Sequence, residues 1–263
     1  MIMKTVKKII LFTFVLSGLF LVSCTKVIDV DLNSKDPKIV VESNFTAGES
    51  VHRVSVTKTL NFSESGAYPS IDNAVVSVTD DLGNAQVLTF VGNGIYETVG
   101  YPVAEGRTYS LTVVADGKTF AASSTVPALV QIDTILVNKF PFGAEPLYAL
   151  VPIRIDPAGV RNFYQFDLYR NDVRVQGIYL QDDEFIDGLP ATQPIFDNEG
   201  AFGVGDTAKI DMYNIDEPVY NYFFALLQNA TATPANPTSN FSGGCLGYFS
   251  ARSKHTASVI ITE

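Results

Sequence analysis

Short runs of alternating apolar and polar residues follow one another along the first half of the chain, and they predict β-strands. The alternation is clearest at Val54 and Val56 and at Tyr109, Leu111 and Val113, whose neighbours are polar. Between the runs stand sequences typical of tight turns, at 80–84, 92–94 and 115–117. The predicted strands are 38–43, 51–58, 74–79, 86–90, 95–99, 107–114 and 118–124. About seven strands within roughly 90 residues predict an immunoglobulin-like (Ig-like) β-sandwich for 38–127, without the Cys and Trp of antibody domains.

A second set of apolar runs follows Pro127, which marks a domain boundary because proline cannot donate a hydrogen bond to a central strand. The predicted strands of this set are 130–137, 147–155, 162–171, 174–180, 207–213, 245–250 and 257–262. One helix is predicted at 217–229, where Asp216 can cap the first turn and Pro218 suits it. Its apolar stripe consists of Val219, Tyr222, Phe223 and Leu226. The sequence therefore predicts a mainly β protein, in which the Ig-like sandwich precedes a second β-sandwich-like domain, 128–263, that carries one helix.

The first 23 residues have the organisation of an export signal. Lys4, Lys7 and Lys8 give a positive start, and a predominantly apolar run follows at 9–22. The run has 22 − 9 + 1 = 14 residues, whereas a permanent membrane-spanning helix needs roughly 20. We therefore predict that 1–23 is a removable signal peptide.

The end of this signal carries a more specific pattern. The segment Leu21-Val22-Ser23-Cys24 resembles the lipobox of bacterial lipoproteins, in which the cysteine sulfur is alkylated with diacylglycerol and becomes the new N-terminus. Two or more acyl chains hold a protein stably on a membrane. We therefore predict lipid attachment at Cys24 and a tether at 24–37. Asp29 and Asp31 are compatible with a surface-export signal, but the choice between the cell surface and the periplasmic face stays open.

Charge and composition exclude several classes of partner. The chain is 46% hydrophobic, which favours a folded core over disorder. Removal of 1–23 takes three of the 18 basic residues and no acid, so 15 basic and 28 acidic residues leave a net charge of −13. Such a chain is not attracted to nucleic acid or anionic lipid. With Cys24 in a thioether, only Cys245 remains, so no intrachain disulfide is available, and Cys245 is interpreted as a small buried hydrophobe.

No Gly-x-Ser-x-Gly elbow, His-Glu-x-x-His, Cys-x-x-Cys, P-loop or Gly-x-Gly-x-x-Gly dinucleotide fingerprint occurs in the chain, so we predict no enzyme activity, no cofactor and no metal site. His52 and His255 are the only histidines, and both are predicted at surface or edge positions. A hydrolase would need a pocket in which carboxylates, or a serine with one of these histidines, converge.

Two polar or aromatic clusters invite a functional interpretation. Acids at 182, 183, 184 and 187 offer oxygen ligands for calcium, but their spacing does not match a calcium loop, and a solvated loop is the favoured interpretation. Phe163, Tyr164, Phe166 and Tyr169 lie on one predicted strand, where Phe163 faces away from Tyr164 and Phe166. Such rings could form a sugar- or peptide-binding platform, but we favour a role in the core because sandwich cores use the same residues.

Two short segments, Asp133-Thr134-Ile135 and Asp206-Thr207-Ala208, resemble the O-glycosylation motif of Bacteroidota. They make Thr134 and Thr207 candidate modification sites, although the composition would produce about one such match by chance.

The same motifs, taken together, resemble one family. The lipobox joins the segments 38–42, 74–78 with its Asp-Gly turn, 94–96, 106–111, 132–133 and 242–249. This combination resembles the Bacteroidota lipoproteins grouped as domain of unknown function 4249, over nearly the whole chain. The resemblance implies an outer-membrane lipoprotein, often encoded beside a TonB-dependent receptor, with no established activity and no catalytic residues to transfer.

Three functional hypotheses remain. The first is a non-enzymatic outer-membrane lipoprotein that acts as an accessory or ligand-binding component of a TonB-dependent uptake system, with an unidentified small-molecule or peptide ligand. The second is a structural or adhesive surface protein. The third, an anchored hydrolase, is the weakest because no catalytic motif supports it.

Overall fold

Strands dominate the computed structural model, which describes residues 36–61, 64–141, 146–197, 202–229 and 236–263. The predicted signal peptide, Cys24 and the tether up to residue 35 lie outside the described residues. Residues 36–38 have no regular secondary structure.

The largest element is a nine-stranded sheet with the strand order β12-β11-β16-β17-β1-β2-β6-β5, in which β13 pairs with the end of β11 not taken by β12. Its strands are β1 Ile39–Thr46, β2 Val51–Lys58, β5 Thr89–Gly92, β6 Ile95–Val99, β11 Phe163–Arg170, β12 Val173–Arg174, β13 Tyr179–Asp182, β16 Thr207–Ile215 and β17 Leu246–Ile260. All of its pairings are antiparallel except that of β1 with β17, which is parallel.

Two four-stranded sheets accompany it. The first has the order β4-β3-β7-β8, with β3 Val75–Asp80, β4 Ala85–Val87, β7 Thr108–Ala115 and β8 Lys118–Thr125. The second has the order β14-β10-β15 with β9 also on β10, and comprises β9 Thr134–Phe140, β10 Leu147–Ile155, β14 Pro190–Ala191 and β15 Ile195–Phe196.

The first hydrophobic core lies between the β17-β1-β2-β6 part of the large sheet and the sheet β4-β3-β7-β8. The alternation seen in the sequence fills it, since Val54, Val56, Leu111 and Val113 are fully buried and Tyr109 is nearly so. This two-sheet arrangement is the predicted Ig-like sandwich, and the mainly β fold class is confirmed.

The other end of the large sheet is covered on both faces. Tyr164, Phe166 and Leu168 of β11 belong to a second core with residues of β9, β10 and β15. Phe163 points to the opposite face, where it packs with residues of the helix. This double coverage follows from the strand period of two residues.

Helix α1, Glu217–Asn229, lies at the predicted residues. The backbone N–H of Val219 donates to Asp216 Oδ1 at 3.2 Å, and the Ser124 hydroxyl donates to Asp216 Oδ2 at 2.6 Å, so the predicted capping residue also ties the helix to β8. No helix among the described residues is long and apolar enough to cross a membrane.

Strand β17 departs most from the sequence prediction, because 245–250 and 257–262 were expected to be separate strands. They form one 15-residue strand whose first half pairs with β1 and whose second half pairs with β16. Phe249 and Ala251 belong to the first core, while Ala257 and Val259 pack against the second. Residues Asp36–Glu263 form one compact unit by contacts, and the domain boundary at 127 stays a prediction.

Candidate functional site

Three aspartates from two separate segments of the second half of the chain lie close together. Carboxylate oxygens of Asp156, Asp183 and Asp187 all lie within 4.8 Å of one another. We call these three residues the aspartate cluster. Asp156 and Asp183 are buried, with 1% and 2% of their surface exposed, and Asp187 is exposed.

The ends of two strands and the loop after them position the cluster. Asp156 directly follows β10, and its backbone N–H donates to the Leu189 carbonyl at 3.1 Å. Asp183 directly follows β13, and its carbonyl accepts from the Ile186 N–H at 2.9 Å, which folds the loop back. Asp187 accepts from the Gly159 N–H at 2.6 Å, so the loop is fastened to the turn after β10.

The buried carboxylates have fewer hydrogen-bond donors than oxygens. Asp183 Oδ2 accepts from the Asn162 N–H at 2.7 Å, but Asp183 Oδ1 and Asp156 Oδ2 have no hydrogen-bond partner. The nearest cation to Asp183 is Arg161, whose Nε lies at 3.5 Å in a long ion pair. Burial raises the pKa of Asp156 above its usual range, and the charges of Asp183 and Asp187 act in the same direction.

A buried cation lies on β10, two residues before Asp156. Arg154 is fully buried, with its guanidinium carbon 4.1 Å from the ring centre of Tyr164 and its Nη2 donating to Gln181 Oε1 at 3.0 Å. The Tyr164 hydroxyl in turn donates to Asp156 Oδ1 at 2.5 Å. Arg154, Tyr164 and Asp156 thus form a polar chain that leads from the second core to the aspartate cluster.

A cleft opens beside the cluster, with a volume of about 340 Å³. Its lining residues are Gly159, Val160, Arg161, Asp183, Glu184 and Asp187. Phe185, in the same loop, is 82% exposed, and Val160 and Leu189 are also exposed. The cluster can therefore be reached from solvent through a cleft whose surroundings are partly apolar.

The structure changes the interpretation of the acidic segment. Glu184 is exposed, as a solvated loop requires, and Asp182 is half-buried and accepts from the Tyr220 hydroxyl at 3.1 Å. Asp183 is buried, so the solvated-loop interpretation is wrong for this residue. Sequence reasoning missed Asp156, which lies 27 residues before Asp183 (183 − 156 = 27) and is brought to it only by the fold.

The two histidines lie in different environments. His52 was predicted at the surface or at an edge, but only 1% of it is exposed, and its ring stacks on Phe45 with 4.6 Å between ring centres. Neither ring nitrogen has a hydrogen-bond partner. His255 is half-buried, and its Nδ1 accepts from the Ile132 N–H at 3.1 Å. Neither arrangement joins a histidine to a serine or cysteine nucleophile.

The burial of His52 predicts a pH dependence of stability. Burial lowers the pKa of His52. This effect is larger than those of the Tyr101 backbone and of the Glu49 charge, which both raise the pKa. The folded form therefore resists protonation while the unfolded chain accepts a proton near pH 6.5. The part of the folding stability that depends on a neutral His52 is fully present above about pH 6.5. It is lost as the pH falls from about 6.5 towards the lower pKa of His52 in the folded state.

Urea unfolding of the wild type and of His52→Gln from about pH 7.5 to about pH 5 measures this effect. We expect the wild type to lose stability relative to the variant as the pH falls, because the variant shares every other titrating group. A free-energy difference between the two proteins that is constant over this range would contradict the buried neutral imidazole.

Three of the four aromatic residues singled out on β11 are buried in a hydrophobic core. Tyr164 and Phe166 are buried in the second core, and Phe163 is buried against α1. Tyr169 is half-buried, and Lys209 Nζ lies 4.3 Å from its ring centre. The core interpretation is confirmed for Phe163, Tyr164 and Phe166, so these four rings do not form an exposed binding platform.

Cys245 is buried, as predicted, with 4% of its surface exposed. Burial raises the pKa of its thiol to about 11. A thiolate is the reactive form of cysteine, so this side chain is poorly suited to nucleophilic catalysis.

Thiol labelling tests the state of Cys245. We expect the folded Cys24→Ser variant, in which Cys245 is the remaining cysteine, to react with a maleimide at least about 100-fold more slowly than the same variant in denaturant, because burial and the raised pKa both suppress the thiolate. The measurement is labelling followed by mass spectrometry. Rapid labelling in the folded state would indicate an accessible, activated thiol instead.

The remaining predicted site residues are placed as follows. Thr134 begins β9 and Thr207 begins β16, and both are exposed. Their O-glycosylation stays a prediction, as does the absence of cofactors and metals. Cys24 lies outside the described residues.

These features define a mainly β protein with an Ig-like sandwich, a continuous sheet shared by two cores, and an aspartate cluster beside an open cleft. The chain belongs to the family described as Domain of unknown function (DUF4249), whose model matches residues 25–258. A segment of two fibronectin type-III domains from chicken tenascin is similar at 10% sequence identity, with a TM-score of 0.24, over 68% of this chain and 91% of that one. No curated protein matches the sequence.

Proposed function

We propose that this protein is a non-enzymatic outer-membrane lipoprotein, anchored through Cys24, that acts as an accessory or ligand-binding component of a TonB-dependent uptake system. The lipobox Leu21-Val22-Ser23-Cys24 at the end of an apolar run carries the proposal. Membership of the family supports it through the resemblance described above.

The position of the folded body suits a short membrane tether. The described residues begin at Asp36, which lies 36 − 24 = 12 positions after Cys24. A chain of this length reaches at most about 40 Å when fully extended. The anchor would therefore keep the body close to the membrane, within contact distance of an integral receptor.

Charge supports attachment by lipid. With a net charge of −13 after signal removal, the body is repelled by an anionic membrane surface. Acyl chains contribute about 0.8 kcal/mol per buried methylene group, so two chains are sufficient for stable attachment without basic residues.

The environments of the candidate catalytic groups support a non-enzymatic role. His52 is buried against Phe45, His255 accepts a backbone hydrogen bond, and the pKa of Cys245 is raised. A hydrolase needs a nucleophile and a base within hydrogen-bond reach of each other. These three residues do not provide that pair.

Fractionation and affinity purification test the proposal. We expect wild-type protein to incorporate radiolabelled palmitate, to sediment with outer membranes and to recover a TonB-dependent receptor from detergent extracts. Cys24→Ser should abolish labelling and release the protein from membranes, whereas Cys245→Ala, the matched change at the other cysteine, should leave both intact. Palmitate labelling without any recovered receptor would retain the lipoprotein and contradict the uptake partner.

An Ig-like sandwich on a tether also suits a structural or adhesive surface protein, which is the second candidate. Deletion of the gene separates the two functions. Loss of growth on a defined nutrient supports the uptake role, while loss of attachment or envelope integrity with normal growth supports the adhesive role.

A further inference from the structure

We propose that Asp156, Asp183 and Asp187 form a binding site for a divalent cation, and that the cation is Ca²⁺. This inference is independent of the membrane anchor, because it rests only on the aspartate cluster and the residues around it.

The spacing of the carboxylates fits a single ion. Ca²⁺ binds oxygen at about 2.3–2.6 Å, so two ligands on opposite sides of the ion lie about 4.6–5.2 Å apart and other pairs lie closer. Oxygens of the three aspartates lie within 4.8 Å of one another. This separation is compatible with one cation between the three carboxylates.

A fourth residue beside the cluster has an unused ligand atom. Asn162 is buried, with 6% of its surface exposed, and its backbone N–H lies 2.7 Å from Asp183 Oδ2. Its side-chain oxygen Oδ1 is buried without a hydrogen-bond partner. Asparagine carbonyl oxygens are common calcium ligands, and a buried one is rarely left unsatisfied.

The protein satisfies the buried negative charge only in part, since Tyr164 donates to Asp156 Oδ1 and the charge of buried Arg154 acts on Asp156. Asp156 Oδ2 and Asp183 Oδ1 lack hydrogen-bond partners, and burial of an unsatisfied carboxylate oxygen is costly. Arg161 lies 3.5 Å from Asp183 and is more than half exposed, so its contribution is screened by water. A cation bound between the carboxylates would offset this buried negative charge.

Access and ligand type favour calcium over other metals. The cleft beside Asp183 and Asp187 admits an ion with some of its water, which can complete a coordination shell of six to eight oxygens. The four candidate side chains would bind a metal through carboxylate and amide oxygens, which disfavours zinc and copper. The irregular arrangement, from two loops, suits Ca²⁺ better than Mg²⁺, which demands near-ideal octahedral geometry.

Calorimetry and thermal unfolding of the full chain, purified in detergent and stripped with EDTA, test the site. With a Kd near that of extracellular modules, about 10⁻⁴–10⁻³ M, about 5 mM CaCl₂ should raise the Tm by about 3–6 °C relative to EDTA. Calorimetry should detect one Ca²⁺ per chain, and MgCl₂ at the same concentration should give a smaller rise in Tm.

Variants separate the site from a general effect of charge. Asp187→Asn changes an exposed ligand and should preserve the fold while weakening Ca²⁺ at least about tenfold. Asp183→Asn should abolish the calcium-dependent rise in Tm. Asp172→Asn makes the same change of charge at an exposed acid outside the cluster and its cleft, and should bind Ca²⁺ as the wild type does.

Two results would overturn the proposal. One is a wild-type Tm that is the same in CaCl₂ and in EDTA, with no heat of binding, which would show that the cluster does not bind the ion. The other is equal weakening by Asp172→Asn and by Asp187→Asn, which would indicate diffuse attraction of calcium to an acidic surface.

Discussion

Replacement of Gly247 by alanine is expected to destabilise the protein by at least about 3 kcal/mol. Gly247 lies in β17 opposite Val41 of β1, and its φ of +95° is strained for any residue with a side chain. A Cβ atom at this position would lie 1.9 Å from the Val41 carbonyl oxygen and 2.7 Å from its carbonyl carbon. Because both neighbours are backbone atoms, the parallel pairing of β1 with β17 would have to open.

The matched control is Gly244→Ala, three residues earlier. Gly244 has a similar φ of +86°, but a Cβ there would meet no atom within 4 Å. It should therefore cost only the backbone strain, about 1–2 kcal/mol. Urea unfolding of the three proteins gives both values, and equal losses for the two variants would contradict the close approach of the two strands.

Truncation of Phe249 to alanine is the second large effect, with an expected loss of about 3–5 kcal/mol. Phe249 is fully buried in the first core, and its ring meets that of Phe45 edge to face with 5.3 Å between ring centres. It stands on β17, far along the chain from the strands of the sandwich that it fills. The loss should therefore appear as instability of a core built mainly from the first half of the chain.

Phe249→Leu keeps most of the apolar volume and should cost less than half as much. This milder variant gives a measurable value if Phe249→Ala does not fold. The measurement is again the midpoint of urea unfolding, with an unchanged slope. A loss below about 1 kcal/mol for the alanine variant would contradict the role of β17 in the first core.

Local patterns were sufficient for most strands and for the helix. Strands β2, β6 and β10 begin and end at the predicted residues, because alternation and turn sequences are properties of neighbouring residues. The helix was predictable for the same reason, since Asp216 and Pro218 mark its start.

One error was avoidable from the sequence. His52 stands two residues before Val54 and four before Val56, and side chains at this spacing share one face of a strand. The alternation that predicts burial of the two valines therefore places His52 on the same buried face of the strand. Polar side chains are usually exposed, but at this position the two-residue period of the strand determines the burial.

Other features depend on contacts between distant parts of the chain. The parallel pairing of Val41 with Gly247 joins residues separated by 247 − 41 = 206 positions, and no local signal specifies such a partner. The sequence predicts two strands in place of β17 because polar residues at 253–256 interrupt the apolar pattern. Ser253 is nevertheless buried, at the place where β17 passes from one core to the next. The aspartate cluster also depends on residues that are distant in the chain. Asp156 carries no motif, and only the fold brings it to Asp183 and Asp187.

The covalent state of residue 24 in the cell tests the central claim most directly. Intact-mass spectrometry of the protein extracted from outer membranes should find a chain that begins at Cys24 and carries the added mass of a diacylglycerol thioether, with or without a further acyl chain on the new amino group. A chain that retains residues 1–23, or one that begins at an unmodified Cys24, would contradict the anchored lipoprotein.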